Sequence, residues 1–419
     1  MRRSIRGAPC LLLLCTTAAC GRTADNEPVD LARAQKLAVA GSAPAWPAAE
    51  AGRPVLLYVD RSESMRGFLD PDYPTRVDTD YRSVLDGFDA RLHPSRVFGF
   101  GNGVREAGQG LGVLGSREFY ADGNTQMEDV FALIRNDSAL ASTHVIVGDG
   151  RRGSPDAANG QYVAMRRLAE GWIASGGTLM VASSAAPFRP VKTDPSGCRD
   201  AAGEERQTCP LYAFAFVAPG DQGRVAAALG AVFQNLYAAP LPALPGGAVR
   251  FAAASRPGLS MEPAWVTSAD SMPVARVRGT ASTNEPLAAS LVLRDTVSPL
   301  GRAALKALRG RRMIAAIAVR ALSDDPRPQW RPSAVSGALM RPGRDAFSYE
   351  FLSRGAGTQR SLYRLQLHPA GEPSWLEAFD AESATDARRT YGLGRLFESF
   401  RATDPLAAPA AVRAYAVVN

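Results

Sequence analysis

From Pro54 to about residue 240, short apolar runs alternate with longer stretches of mixed polarity. The runs are PVLLYVD (54–60), RVFGFG (96–101), THVIVGD (143–149), GTLMVASS (177–184) and LYAFAFVA (211–218). Each is nearly continuous in apolar residues, the pattern of a strand buried on both faces. The intervening stretches 81–92, 124–136, 162–176 and 223–237 read as helices. Strand–helix alternation of this kind predicts an α/β fold: a Rossmann-like, doubly wound and mostly parallel sheet over residues 51–240, with helices on both faces.

The texture changes after PLPALPGG (240–247), which reads as a linker. Strand-like runs follow at 272–282, 286–297, 313–322, 346–354, 361–370 and 411–419, separated by Gly, Pro and Asp turns. Two helices are expected, at 299–309 and 392–402. This half, residues 245–419, is expected to be a β-rich, sandwich-like domain. No internal repeat is visible.

The N-terminus, MRRSIRGAPCLLLLCTTAAC, carries a basic start, a short apolar stretch and then small residues, the order of a signal peptide over residues 1–19. Its apolar stretch is well short of the roughly 20 residues of a bilayer-spanning helix. Thr17-Ala18-Ala19-Cys20 resembles a bacterial lipobox, with Thr17 where Leu is usual. The resemblance implies lipidation at Cys20; simple cleavage near Ala19 is the alternative. An Ala/Pro-rich tether over 20–50 would then lift the folded part off the membrane. Gly21, in place of the Asp associated with inner-membrane retention, favours the outer membrane if the organism has two membranes.

Two cysteines remain beyond the leader and Cys20, namely Cys198 and Cys209. An even remainder in an exported chain reads as a disulfide, which over so short a loop stabilises by about 2.5–3 kcal/mol. No CxxC or neighbouring His supports a zinc reading.

At 419 residues the chain suits two or three domains, and 46% hydrophobic with 21% charged residues excludes a polytopic membrane protein and a disordered chain. The formal charge of +7 invites a nucleic-acid reading. However, Arg2, Arg3 and Arg6 belong to the leader, and their loss leaves +4. Only Lys36, Lys192 and Lys306 are lysines among 48 basic residues, a bias that reflects genome composition, and the arginines form no long run. Export argues further against nucleic acid.

The most informative segment is Val55-Leu-Leu-Tyr-Val-Asp60-Arg61-Ser62-Glu63-Ser64-Met65. A buried strand ends in Asp-x-Ser-x-Ser, and the carboxyl end of a strand is where open α/β sheets bind ligands. One carboxylate and two hydroxyls on one turn are hard oxygen donors, suited to Mg²⁺ or Mn²⁺ rather than zinc. The run resembles the metal-ion-dependent adhesion site of von Willebrand factor A (vWA) domains. The resemblance implies two further ligands, a Thr from a second loop and an Asp from a later strand end. Thr125, in Asp122-Gly-Asn-Thr125 at the start of a predicted helix, and Asp149, which ends THVIVGD, match them. The predicted metal set is Asp60, Ser62, Ser64, Thr125 and Asp149, for Mg²⁺ or alternatively Mn²⁺ or Ca²⁺.

Taken singly, these residues have ordinary readings. Ser62 and Ser64 cap helices elsewhere, Asp149-Gly150 suits a turn, and Asn124 competes with Thr125 as a cap. Glu63 reads as solvated. The segment RGFLDPDYPTRVDTD (66–80), with Asp70, Asp72, Asp78 and Asp80, departs from simpler vWA domains, whose helix starts almost at once. It reads as a solvated insertion, a lid, a partner-contacting surface or a second cation site.

Other chemistries find little support. There is no Gly-Lys phosphate loop, GxSxG or HExxH. Ser62 stands where a haloacid-dehalogenase-type phosphatase needs its second Asp. His93, His144 and His368 are expected to be structural or exposed. The function implied is that of a non-enzymatic, lipid-anchored protein of the bacterial cell envelope, which binds a partner's acidic residue through the cation. The alternatives are a structural subunit of an envelope or secretion complex whose metal only stabilises loops, and a hydrolase or other envelope enzyme with its site in the β-rich half or between the domains.

Overall fold

In the computed structural model of the chain, the described residues are 52–69, 80–108, 111–150, 155–189 and 207–241. Beyond them come 249–253, 259–264, 274–279, 287–294, 299–321, 331–332, 339–342, 346–353, 361–381, 390–400 and 412–418. The leader, Cys20, the tether, Asp70, Asp72, Asp78 and Cys198 lie outside this set. Cys209, inside it, is disulfide-bonded. No described helix is long and apolar enough to cross a membrane.

The first half forms one seven-stranded sheet with helices on both faces. Its strands are β1 (Val55–Asp60), β2 (Arg96–Gly101), β3 (Gly103–Glu106), β4 (Thr143–Gly148), β5 (Thr178–Phe188), β6 (Gln207–Val217) and β7 (Asn235–Ala239). They lie in the order β3-β2-β1-β4-β6-β5-β7. The helices are α1 (Tyr81–Leu92), α2 (Glu128–Asn136), α3 (Pro155–Ala174) and α4 (Gln222–Val232). Alternation along β1 divides its side chains between two cores. Val55, Leu57 and Val59 join α1 and α4 on one face, while Leu56 and Tyr58 join α2 and α3 on the other.

The sheet is mixed. β2–β1–β4 are parallel, but β6 enters antiparallel between β4 and β5, and β3 and β7 pair antiparallel at the edges. A run buried on both faces looks the same whichever way it points, so the apolar pattern reports burial and leaves direction open.

α1 illustrates local control. Asp80 is its N-cap, and its carboxylate accepts Ser83 N–H at 2.9 Å and the Ser83 hydroxyl at 2.6 Å. Of the four carboxylates in 66–80, this one has a helix-capping role. α1 ends at His93, which is left-handed (φ 46°) and donates its N–H to Phe88 O.

α4 illustrates the opposite. The expected helix over 223–237 stops at Val232, and residues 235–239 become edge strand β7. Lys306, on α5 (Pro299–Arg309), donates from Nζ to Gly230 O at 2.8 Å and also to Phe233 O. A cation on the final carbonyls satisfies groups that every helix end leaves open. The Ser184 hydroxyl then accepts Gln234 N–H at 2.8 Å. Both partners are remote in sequence.

The second half is β-rich, and each of the six expected strand runs overlaps an observed strand. One sheet orders Arg331–Pro332, Arg311–Ala321, Ser361–Pro373, Val412–Val418, Val274–Gly279 and Leu259–Ala264. Another orders Leu339–Pro342, Ala346–Ser353, Leu287–Arg294 and Val249–Ala253. Two pieces of this half fill the cores of the first sheet. Ala303, Ala304 and Ala307 of α5 join the α1/α4 side. On the α2/α3 side, Trp375, Leu376 and Phe379 join with Leu393, Leu396 and Phe397. The last six belong to the short helices α6 (Leu376–Phe379) and α7 (Gly394–Phe397) and the residues before them.

Candidate metal centre

β1 delivers Asp60 to the carboxyl end of the sheet, where its side chain is fully buried. The chain then turns. Ser62 N–H donates to Asp60 Oδ1 at 2.8 Å, and Arg61 N–H extends the β1–β2 ladder to Phe100 O at 2.8 Å. Residues Glu63–Phe68 form a 3-10 helix. Ser62 stands at its N-cap position but makes no side-chain capping bond. Its hydroxyl lies instead 2.9 Å from the Ser64 hydroxyl, so the two serines point at each other rather than at the helix backbone. Met65, with no exposed surface, anchors the turn in the core. Glu63 pairs with Arg66 at 3.8 Å, a partly exposed contact.

A second loop is fastened to this turn. Ser62 bridges Asp122 in the parallel sense; Glu63 N–H donates to Asp122 O and Asp122 N–H to Arg61 O, both at 3.1 Å. The Asp122 carboxylate occupies the space over Gly101, where a Cβ would stand 2.3 Å from its Oδ2. Three residues on, the Thr125 hydroxyl donates toward both Asp60 oxygens, at 3.4 and 3.3 Å. α2 begins at Glu128, later than the expected 124, so neither Asn124 nor Thr125 caps it. Thr125 belongs to the loop, held by Gln126 N–H on Gly101 O at 3.1 Å.

The third contribution comes from β4. Gly148 runs against Asp60, such that a Cβ there would lie 3.1 Å from Asp60 Cβ. The next residue, Asp149, is 1% exposed. Burial pushes the Asp60 carboxyl up to about 8, the Asp149 charge pushes the same way, and the donors from Ser62 and Thr125 pull it back. Asp60 therefore has two hydrogen-bonding hydroxyl residues and a like charge beside it. Among the described residues no three His, Cys, Asp or Glu side chains gather as a metal-holding group. A cation here would rest on two carboxylates and three hydroxyls, a hard-oxygen set that fits Mg²⁺ or Mn²⁺ and not zinc.

Arg61 and Asp122 were not singled out from the sequence. Arg61 Nε donates to Phe119 O at 3.0 Å, and its guanidinium lies 5.1 Å from the Phe119 ring centre. Asp122 stands in the very stretch that marks Thr125, yet its partner is defined only by the register of two loops. Beneath the site the Tyr81 and Tyr120 hydroxyls meet at 2.9 Å.

His144 sits apart from this centre. Its imidazole contacts the Tyr58 hydroxyl and Asp137 Oδ2, both at 3.1 Å, and is 1% exposed. Burial holds it below the usual imidazole range, against the pull of Asp137. The folded protein therefore keeps His144 neutral where the unfolded chain already takes a proton, below pH ~6.5. Stability carried by His144 is present above that value and lost as pH falls through the lower folded pKa. The gap in urea midpoint between the wild type and His144→Gln is expected to narrow from pH 7 to pH 5; an equal gap at both would remove His144 from the account. His93 is the cap described above.

No family model, no curated protein and no solved structure matches this chain.

Proposed function

We infer that this chain is an exported, lipid-anchored protein of the bacterial envelope, in which a vWA fold binds a protein partner through a divalent cation. A sandwich-like second half orients it. The observation that carries this reading is the convergence of two buried carboxylates and three hydroxyls at the ends of β1 and β4: Asp60 with Ser62 and Thr125 in hydrogen-bonding range, Ser62 with Ser64, and the Asp149 charge on Asp60. Asp60, Ser62, Ser64, Thr125 and Asp149 would hold Mg²⁺, directly or through water. Hydroxyls are neutral, so the cation keeps a pull on an external carboxylate, and a Glu or Asp of the partner supplies it. In this reading the protein binds and does not catalyse.

The test is capture from envelope extract by the full chain, with Mg²⁺ or with chelator, alongside Ser64→Ala. A partner retained with Mg²⁺, lost on chelation and lost with Ser64→Ala is the expected result. It should also be lost when one acidic residue of that partner is neutralised. Capture that ignores both chelator and substitution would refute cation-mediated recognition.

A further inference from the structure

The loops bearing Thr125 and Asp149 rest on a common support, α3. The Gln161 amide donates to Met127 Sδ at 2.9 Å, and Met127 lies two residues beyond Thr125. The neighbouring Tyr162 hydroxyl donates to Gly150 O at 2.9 Å. Gly150 directly follows Asp149 and holds a left-handed φ of 69°. Tyr212 of β6, in register with Gly148, closes the other side. A Cβ on Gly150 would stand 2.8 Å from the Tyr162 hydroxyl and 3.0 Å from the Tyr212 ring. Gly150 is thus enclosed by two tyrosines, both without exposed surface.

Tyr212 and α3 are held in turn by one segment far along the chain. The Tyr212 hydroxyl meets the Thr390 hydroxyl at 2.8 Å, in a buried setting flanked by Phe379 and Phe214. Gly392 (φ 79°) approaches Asn159 of α3 so closely that a Cβ would lie 2.6 Å from its Oδ1. Glu398 accepts from Arg166 of α3 at 2.6 Å and from Arg395 at 2.7 Å. A buried hydroxyl pair and an ion pair fix orientation in a way that apolar packing alone does not.

We propose that Thr390–Glu398 is a clamp that sets the geometry of the Asp149 and Thr125 loops through Tyr212 and α3, and thereby sets the affinity of the metal centre. The clamp rests on the reading of that centre given above. Thr390 and Glu398 are positioning residues, since neither touches the cation. Coupling between two sites is reciprocal, so cation binding must in turn steady residues 390–400.

Calorimetric titration of Mg²⁺ into the full chain tests this. Thr390→Val and Glu398→Gln are expected to weaken Mg²⁺ binding about 5-fold or more, and Thr390→Ser, which keeps the hydroxyl, to retain wild-type affinity. Glu398 lies at the surface, so Glu398→Gln carries the test if Thr390→Val does not fold. Hydrogen exchange supplies a readout that a merely structural role would leave unmoved. Mg²⁺ should raise amide protection over 390–400 in the wild type but not in Asp60→Ala. Wild-type Mg²⁺ affinity in folded Glu398→Gln, or unchanged protection over 390–400, overturns the clamp and leaves the metal centre standing. A wild type that binds no Mg²⁺ overturns both.

Discussion

Mg²⁺ at about 100 times its dissociation constant is expected to raise the melting temperature of the full chain by about 5–10 °C, and to leave that of Asp60→Ala unchanged. The first figure follows from mass action: a ligand that binds only the folded state at that excess stabilises by about 2.7 kcal/mol. For a folding unit of 150–250 residues each kcal/mol moves the midpoint by about 2–4 °C. The second follows from the donor set. Asp60 is one of the two carboxylates of the proposed set, and Ser62 and Thr125 both hydrogen-bond to it. Its removal costs the site half its charge and the group that organises the hydroxyls.

The same residue sets a pH dependence of known sign. Without cation the folded carboxyl is raised to about 8, while an unfolded Asp titrates near ~3.9. Between those values the folded state holds a proton that the unfolded chain has released. Stability of the metal-free protein contributed by Asp60 is therefore full at low pH and falls as pH rises toward 8. Cation and proton compete for the same oxygens, so the Mg²⁺-induced shift should grow from pH 6 to pH 8. Melts in chelator and in Mg²⁺ across that range, with Asp60→Asn beside the wild type, separate the effects. An equal Mg²⁺ shift in Asp60→Asn would place the cation elsewhere.

What was legible in the sequence is what neighbouring residues decide. The apolar run 55–59 is short and preceded by Pro54, which favours a strand buried on both faces over a helix, and Asp60 at its end then lies at the sheet's carboxyl edge. Asp80 caps α1 through Ser83, three residues on, so that helix was readable to its ends. The misreadings share one cause. α4 ends where Lys306 reaches its last carbonyls, and nothing within 223–237 announces a lysine 73 positions beyond Phe233. The antiparallel entry of β6 depends on pairing with β4 and β5, which an apolar run does not encode. Asp122 and the Gly148–Asp60 approach are products of register between loops. The meeting of Asp60, Ser62 and Asp149 was legible because these residues sit at or just beyond the ends of β1 and β4, which local patterns define, whereas Thr125 reaches Asp60 from a loop.

Phe397→Ala should destabilise the first sheet by about 3–5 kcal/mol, the cost of deleting a buried aromatic ring and leaving its cavity. Phe397 has no exposed surface and packs edge-on to Tyr237 of β7, with ring centres 4.9 Å apart, and to Trp375 at 6.1 Å. It shares one core with Phe214 of β6 and Trp172 of α3. The linker-like composition of 240–247 suggests two halves that fold apart, and on that view a substitution at 397 would leave Trp172 undisturbed. Packing predicts otherwise. Tyr237 also donates its hydroxyl to Gly371 O at 3.1 Å, and Lys306 closes α4, so the outer strands and helices of the first sheet are finished by chain from beyond residue 240. Urea unfolding followed by Trp172 emission, with the other tryptophans replaced by Phe, should show the full loss in a single transition. Leu133→Ala, at a site 41% exposed, should stay within about 0.5 kcal/mol of the wild type. A loss under about 1 kcal/mol for Phe397→Ala would mean that the aromatic contacts are not coupled to the sheet. A loss on the expected scale means that cutting the chain at residue 240 strips the α2/α3 core of its lid, and that the candidate metal centre should be studied in the full chain.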